Sequence, residues 1–243
     1  MTEAHRTGAH GPAFASTGSK YYPTIVTLFV ALLLVSNIAA TKGISFGPIL
    51  TDGGAFLFPL TYVLGDVMAE VYGLKAANKA IILGFAMTLL AAGTFHLVSL
   101  SPGAPGYTNQ AAFEAVLGVV PRILLASVCG YLFGQLLNAL VVVKVKQRTR
   151  EKHLWVRLVG STVVGEFADT LIFCSIAAGA IGIDTTSDFL NYVIVGYVYK
   201  TLLEIALMPI TYPVIRAVKR REPSYLAALT EAGPVAGSDT DLA

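Results

Sequence analysis

The chain has 243 residues, 55% hydrophobic and 13% charged, with a mean hydropathy of +0.68 and a net charge of +2. An ordinary globular chain is about a quarter charged, so a water-soluble domain is excluded and an integral membrane protein is expected, while the near-neutral balance gives no case for nucleic acid as a partner. Cys129 and Cys174 lie in apolar runs without paired spacing, and His5, His10, His96 and His153 are scattered, so no disulfide framework, metal site or cofactor is expected.

In chain order, residues 1–19 are rich in small and polar residues without periodicity and predict a disordered cytoplasmic tail. The first span covers about Tyr22 to Ala40 and ends in SNIAATKG, where Ser36, Asn37 and Lys42 bring in polarity. Gly43 to Gly54 reads as a turn-rich loop or short hairpin. A second span follows from about Ala55 to Tyr72, with Asp66 and Glu70 inside it, and a third from Ala80 to Leu100. Asn109 can cap a short helix over QAAFEAVLG, and Pro121 suits the first turn of a fourth span ending near Val143. The basic stretch from Lys144 to Arg157 belongs in water. A fifth span runs from Arg157 to Ile183, and Ser187 in the acidic loop after it can cap a sixth, from Asp188 to Val218, bent by Pro209 and Pro213. Residues 222–243 read as a disordered tail. The expected architecture is an all-α integral membrane protein, a single domain over residues 20–221 with six transmembrane helices and both termini cytoplasmic.

Charge supports that topology. Fourteen of the 17 basic residues fall in the segments it places inside: Arg6 and Lys20, Lys75 and Lys79, the six between Lys144 and Arg157, and Arg216, Lys219, Arg220 and Arg221. Such an excess is the usual mark of cytoplasmic loops, and it explains the basic stretch better than RNA binding does.

Four spans also carry polar residues at helical spacing. Pro59, Tyr62, Asp66 and Glu70 share a face of the second; Ser127, Tyr131, Gln135 and Asn138 share one of the fourth, with Arg122 near its outer end. In the fifth the set is Thr162, Glu166, Asp169, Thr170 and Phe173, and in the sixth Tyr192, Gly196, Lys200 and Glu204. Each stripe has a plain structural explanation. Gln135 and Asn138 can tie helices together, Lys200 can pair with Glu204 or Asp169, Glu70 can meet Lys75 or solvent, and the tyrosines can pack. However, four mid-depth acids, Asp66, Glu166, Asp169 and Glu204, face only Lys200, with Arg122 farther out. Ionisable groups in membrane spans turn toward a cavity, a partner or a bound solute, and the surplus of acids favours the cavity.

SNIAATK at 36–42, FPLTYVLGDVMAEVYG at 58–73, the Arg122 to Asn138 segment with GQLLN and RLVGSTVVGEFADT at 157–170 resemble the queuosine precursor transporter family. These are vitamin uptake transporters related to the substrate-binding components of energy-coupling factor importers, and the resemblance covers about residues 21–221. It implies a six-helix carrier in the bacterial cytoplasmic membrane, importing 7-deazaguanines such as preQ0 and preQ1 for tRNA queuosine modification. A 7-deazaguanine offers adjacent N–H donors to a carboxylate and a carbonyl to an amide or ammonium. Tyr62, Asp66, Arg122, Gln135, Asn138, Glu166, Asp169, Lys200 and Glu204 are therefore the expected substrate-binding set. Asp169 or Glu166 takes the donor edge in this reading, Gln135, Asn138 or Lys200 the carbonyl, and Tyr62, Phe173 or Tyr192 the ring face.

Other readings compete. A substrate-binding subunit would need a separate energising module, since no GxxxxGK[ST] phosphate loop is present; a homo-oligomer is open as well. An intramembrane aspartyl protease would carry GxGD where residues 63–66 read VLGD. A scaffold subunit would use the acids only to join helices.

Overall fold

The structure, a computed structural model, describes residues 13–149 and 154–232, without the side chains of 135, 138, 139, 142–149, 154–162, 208, 231 and 232. Pro23 in its first turn starts α1 (Tyr22–Ala39), since a proline there loses no helical hydrogen bond. The chain then turns back as an antiparallel hairpin, β1 (Gly43–Phe46) and β2 (Ile49–Asp52), with Gly47 supplying the positive φ of its turn. A 3₁₀ turn, Gly53–Phe56, is capped by the Asp52 carboxylate, which accepts from Gly54 N at 2.8 Å. It leads into α2 (Phe58–Tyr72). Gly73, at φ 85°, makes the corner to α3 (Leu74–Ser99). After α4 (Gln110–Leu117), the long helices α5 (Val120–Thr149), α6 (Leu154–Ala177) and α7 (Thr186–Arg221) complete the set, and α8 (Pro223–Ala232) closes the described chain.

This is a helical membrane protein. Among the described residues, five stretches are long and apolar enough to cross a bilayer: Tyr22–Ala39, Leu74–Ser99, Gln110–Gly134, Val163–Ala180 and Thr186–Leu207. Helix α2 is the departure from expectation. Its 15 residues span about 22 Å, short of the roughly 30 Å hydrocarbon core, because the hairpin and 3₁₀ turn take the place of its first turns.

Outward faces are apolar, with Ile82, Leu89, Leu90 and Leu97 of α3 and Leu202 and Ile205 of α7 exposed, as lipid contact requires. Inward packing relies on small residues. Val67, Met68 and Val71 of α2 meet Ala76, Ala77 and Ala80 of α3 and Phe29 and Leu33 of α1. Helices α5 and α6 approach still closer: a Cβ on Gly130 would stand 2.7 Å from Asp169 Oδ1, and one on Gly134 would stand 3.0 Å from the Gly165 carbonyl oxygen. Gly130 and Gly134 are the two ends of a G-x-x-x-G spacing, a signal for close helix pairing in membranes.

Several local expectations change. Thr185, not Ser187, caps α7, accepting from Asp188 N at 3.1 Å. Asn109 makes no capping bond; Gln110 instead donates to Ser99 O and to Glu114. The basic stretch from Lys144 continues α5 to Thr149 and resumes as α6 at Leu154, with 150–153 outside the described residues. Glu70 pairs with Lys219 at 2.6 Å, not with Lys75.

The chain ends are the largest difference. Residues 1–12 and 233–243 of the expected tails lie outside the described residues, but the described parts are packed. Ala15 N donates to the Val71 carbonyl at 2.8 Å and Ser16 N to Ser224 Oγ at 3.0 Å. Glu222, fully buried between α7 and α8, accepts from Tyr72 OH at 3.0 Å and from Ser224 Oγ at 2.7 Å. Burial pushes its carboxyl up, but hydrogen bonds from Ser224, Ser19 and Tyr72 outweigh that and hold it below the ordinary glutamate range. A carboxyl held low in the folded state stabilises the fold above its ordinary pKa, and that contribution is lost as pH falls through the lowered value. Glu222→Gln is therefore expected to lower the melting midpoint in detergent at pH 7, with the gap to the native chain closing in acid. A gap independent of pH would refute the assignment.

Candidate functional site

One cavity of about 420 Å³ lies among α1, α2, α3, α5, α6 and α7. Its position follows from the polar faces described above: α2, α6 and α7 turn their acids, Lys200, Tyr62 and Tyr192 inward, among aromatic and small residues such as Phe58, Phe173, Gly165 and Gly196. The hairpin roofs one end. Asp52 accepts a hydrogen bond from Tyr192 OH of α7, Leu50 N donates to Asn191 Oδ1 at 3.0 Å, Tyr199 OH donates to Ala55 O at 3.0 Å, and Ser36 Oγ of α1 donates to Gly54 O at 3.1 Å. Gly53 and Gly54 allow this crossing, since a Cβ on Gly53 would lie 2.4 Å from the Ala39 carbonyl oxygen. At the other end Asp66, Leu74 and Asn78 line the cavity and are exposed.

At mid depth, Lys200 Nζ of α7 meets Asp169 Oδ2 of α6 at 2.6 Å, with both side chains mostly buried. The ammonium also lies 5.0 Å from the Phe58 ring centroid and 5.9 Å from that of Phe173, so two aromatic faces flank it. Tyr62 OH of α2 donates to Glu166 Oε2 at a long 3.4 Å, and its ring meets Phe58 edge-on at 5.2 Å. Among the described lining residues, five carboxyls, Asp52, Asp66, Glu166, Asp169 and Glu204, share the single ammonium of Lys200. Asp52 belongs to the hairpin, outside the helical spans, and is the deepest of the five.

Of the nine residues expected to bind substrate, six line this cavity: Tyr62, Asp66, Glu166, Asp169, Lys200 and Glu204. The side chains of Gln135 and Asn138 lie outside the described residues. Arg122 stands apart: its Nε donates to the Ile176 carbonyl at 2.6 Å, binding one of the last carbonyls of α6, where a cation suits the helix dipole. Lys200 chooses Asp169 over Glu204. Tyr192 and Tyr131 also line the cavity, Tyr192 with its OH tied to Asp52 and Tyr131 with its ring packed on Phe85, centroids 5.7 Å apart.

The expected binding set left out Asp52, in the Gly43 to Gly54 hairpin, and spacing did not pair Asn37 with Ser127, whose Oγ donates to Asn37 Oδ1 at 2.6 Å beneath the roof. The signal for Asp52 was present in the Asp-Gly-Gly that follows β2, a capped turn with no room for side chains. For Asn37 it was an amide one turn from a helix end, with no other helix visible in the sequence to receive it.

A family model described as "Putative vitamin uptake transporter" matches residues 52–214, which include every acid of the cavity. The chain belongs to this vitamin uptake transporter family. This vitamin uptake transporter is 27% identical over 190 residues to the "Probable queuosine precursor transporter" of Bacillus subtilis (strain 168), a match covering 78% of this chain and 82% of that one. It is 26% identical over 192 residues to the "Queuosine precursor transporter" of Escherichia coli (strain K12), covering 78% and 84%. A 164-residue match at 27% identity to the Haemophilus influenzae "Probable queuosine precursor transporter" covers 68% and 65%. The resemblance drawn from the sequence motifs is borne out by these relatives. No solved structure matches. As a family of transporters it also removes the protease reading of VLGD: Asp66 is a wall of a transporter's cavity, not half of a catalytic dyad.

Proposed function

We propose that this transporter imports queuosine precursors, 7-deazaguanines of the preQ0 and preQ1 type, across a bacterial cytoplasmic membrane. The chain would cross the membrane six times with both ends cytoplasmic, α2 and the hairpin together making the short second crossing. The observation that carries the reading is the mid-depth group of Lys200, Asp169, Glu166 and Tyr62 between the Phe58 and Phe173 rings, in a cavity within the size range of small-molecule sites. The names of the relatives supply the solute class.

Within that group the roles divide by what is already occupied. Asp169 is engaged by Lys200, whereas among the described residues Glu166 has the long bond from Tyr62 alone, so Glu166 would be the carboxylate to accept the adjacent ring N–H and amino donors. Lys200 retains donors for the ring carbonyl, and Phe58 or Phe173 offers a flat face. The remaining acids, Asp66 and Glu204, would favour the aminomethyl cation of preQ1 over the neutral nitrile of preQ0.

Glu166→Gln tests this directly. The amide presents only one acceptor where the carboxylate has two, and loses a charge-assisted bond worth about 1.5–3 kcal/mol, so affinity for a 7-deazaguanine should fall roughly 10- to 150-fold. Equilibrium binding of preQ0, preQ1 and guanine to the purified chain measures it. Unchanged binding in a folded Glu166→Gln protein rejects the assignment, and absence of saturable binding to the native chain rejects the solute class.

A further inference from the structure

We propose that the two ends of this chain form a latch on the Gly73 corner between α2 and α3, holding the cavity mouth at that end open. Contacts from both sides converge there. The N-terminal segment binds the last turn of α2 through Ala15 N and Val71 O, and the Phe14 ring lies 3.4 Å from where a Cβ on Gly73 would stand. The C-terminal side binds the same turn through Glu222 and Tyr72 OH, and the two ends are joined to each other through Ser16 N and Ser224 Oγ. Lys219, which pairs with Glu70 of α2, also lies 5.2 Å from the ring centroid of Tyr225, itself buried in α8.

The corner so held forms the rim of the cavity. Ala69 and Asp66 precede it on α2, Leu74 and Asn78 follow it on α3, and all four line the cavity. The structure is thus closed under the hairpin roof and open beside the latch. A transporter of this kind must alternate between the two mouths, so a contact made only while one is open biases the exchange. Two features give the corner freedom to move once released. Gly73 holds a positive φ as a single-residue joint between two helices, and Pro209 and Pro213 remove two hydrogen bonds from α7 between the cavity acid Glu204 and the latch residue Lys219. Residues 14–16 and 222–225 fall outside the 52–214 stretch matched to the family model.

The test needs no solute. In the full chain with Cys129 and Cys174 replaced by Ser, a Thr51→Cys reporter at the half-buried roof end of the cavity is labelled with a maleimide in detergent. Ala15→Pro deletes the bond to Val71, and Glu222→Gln weakens the bond from Tyr72. Each should raise the labelling rate about fivefold, the shift in a minor population that one lost hydrogen bond gives. A disulfide made by Ser16→Cys with Ser224→Cys should lower the rate at position 51, read there by peptide mapping because the reduced pair also takes the maleimide, below that of its own reduced form, so folding is controlled within one sample. If both loosened variants melt earlier while Thr51→Cys labelling is unchanged, the contacts merely hold the fold together and the proposal is overturned. Indifference of labelling to oxidation of the disulfide pair overturns it as well.

Discussion

Asp169→Asn is expected to lose about 3 kcal/mol of stability, a large share of what any single substitution here can remove. The neutral amide leaves the Lys200 ammonium mostly buried between two phenylalanine rings without the carboxylate 2.6 Å away that compensates it. The figure sits at the low end for a broken buried pair because the cavity admits water to part of both groups. Adding Lys200→Met to Asp169→Asn removes the orphaned charge, so the double variant should recover most of the melting midpoint. Under the proposed function it should nevertheless bind a 7-deazaguanine roughly 10- to 150-fold more weakly, since the charged carbonyl donor is gone. Stability and binding would thus part company, and melting curves with binding isotherms for the two single variants and the double measure it. A double variant as unstable as Asp169→Asn alone would mean that the pair is not what the single substitution broke.

The second large effect is expected at Gly130. An alanine Cβ there would stand 2.7 Å from Asp169 Oδ1 and 2.9 Å from the Asp169 backbone oxygen. The side-chain oxygen can swing away, but the backbone oxygen cannot move unless α6 moves with it. Overpacking of this kind removes about 1–3 kcal/mol, and the displacement here acts on the residue that holds Lys200. Gly130→Ala should lower both the melting midpoint and ligand affinity although the glycine touches no ligand in the proposed pose. Gly93→Ala on α3, where a Cβ meets nothing within 4 Å, is the matched control and should change neither. Equal behaviour of the two variants would show that the close approach of α5 and α6 does not position Asp169.

Much of this arrangement was legible in the chain. Acids at three- and four-residue spacing on α2, α6 and α7 cannot face lipid, so Asp66, Glu166, Asp169 and Glu204 had to share an interior, and they do. The hairpin at Gly43 to Gly54 was legible from its turn residues. What periodicity does not encode is which partner a group chooses among several within reach. Lys200 had two candidates and took the one across the helix interface; Arg122 looked like a cavity cation and instead capped α6, because a helix end supplies acceptors that no spacing rule displays. The chain ends were unreadable for a related reason. Their small and polar residues pack only through bonds to α2 that exist once the fold is made, so Glu222 reads as a solvated charge in the sequence and is fully buried in the structure.

The short α2 has one more consequence. Where a longer helix would continue as an unbroken ladder, α2 is preceded by two strands and a 3₁₀ turn, the strands held by the side chains of Asn191 and Tyr192 and the turn by those of Ser36 and Tyr199. A helix can shorten only by unwinding, one backbone bond at a time. A two-stranded flap keeps its own backbone pairing as it swings, so uncovering the cavity from that end would require those side-chain fastenings and the packing of Leu50 on the cluster around Tyr192 to let go, while every helix of the wall stays intact.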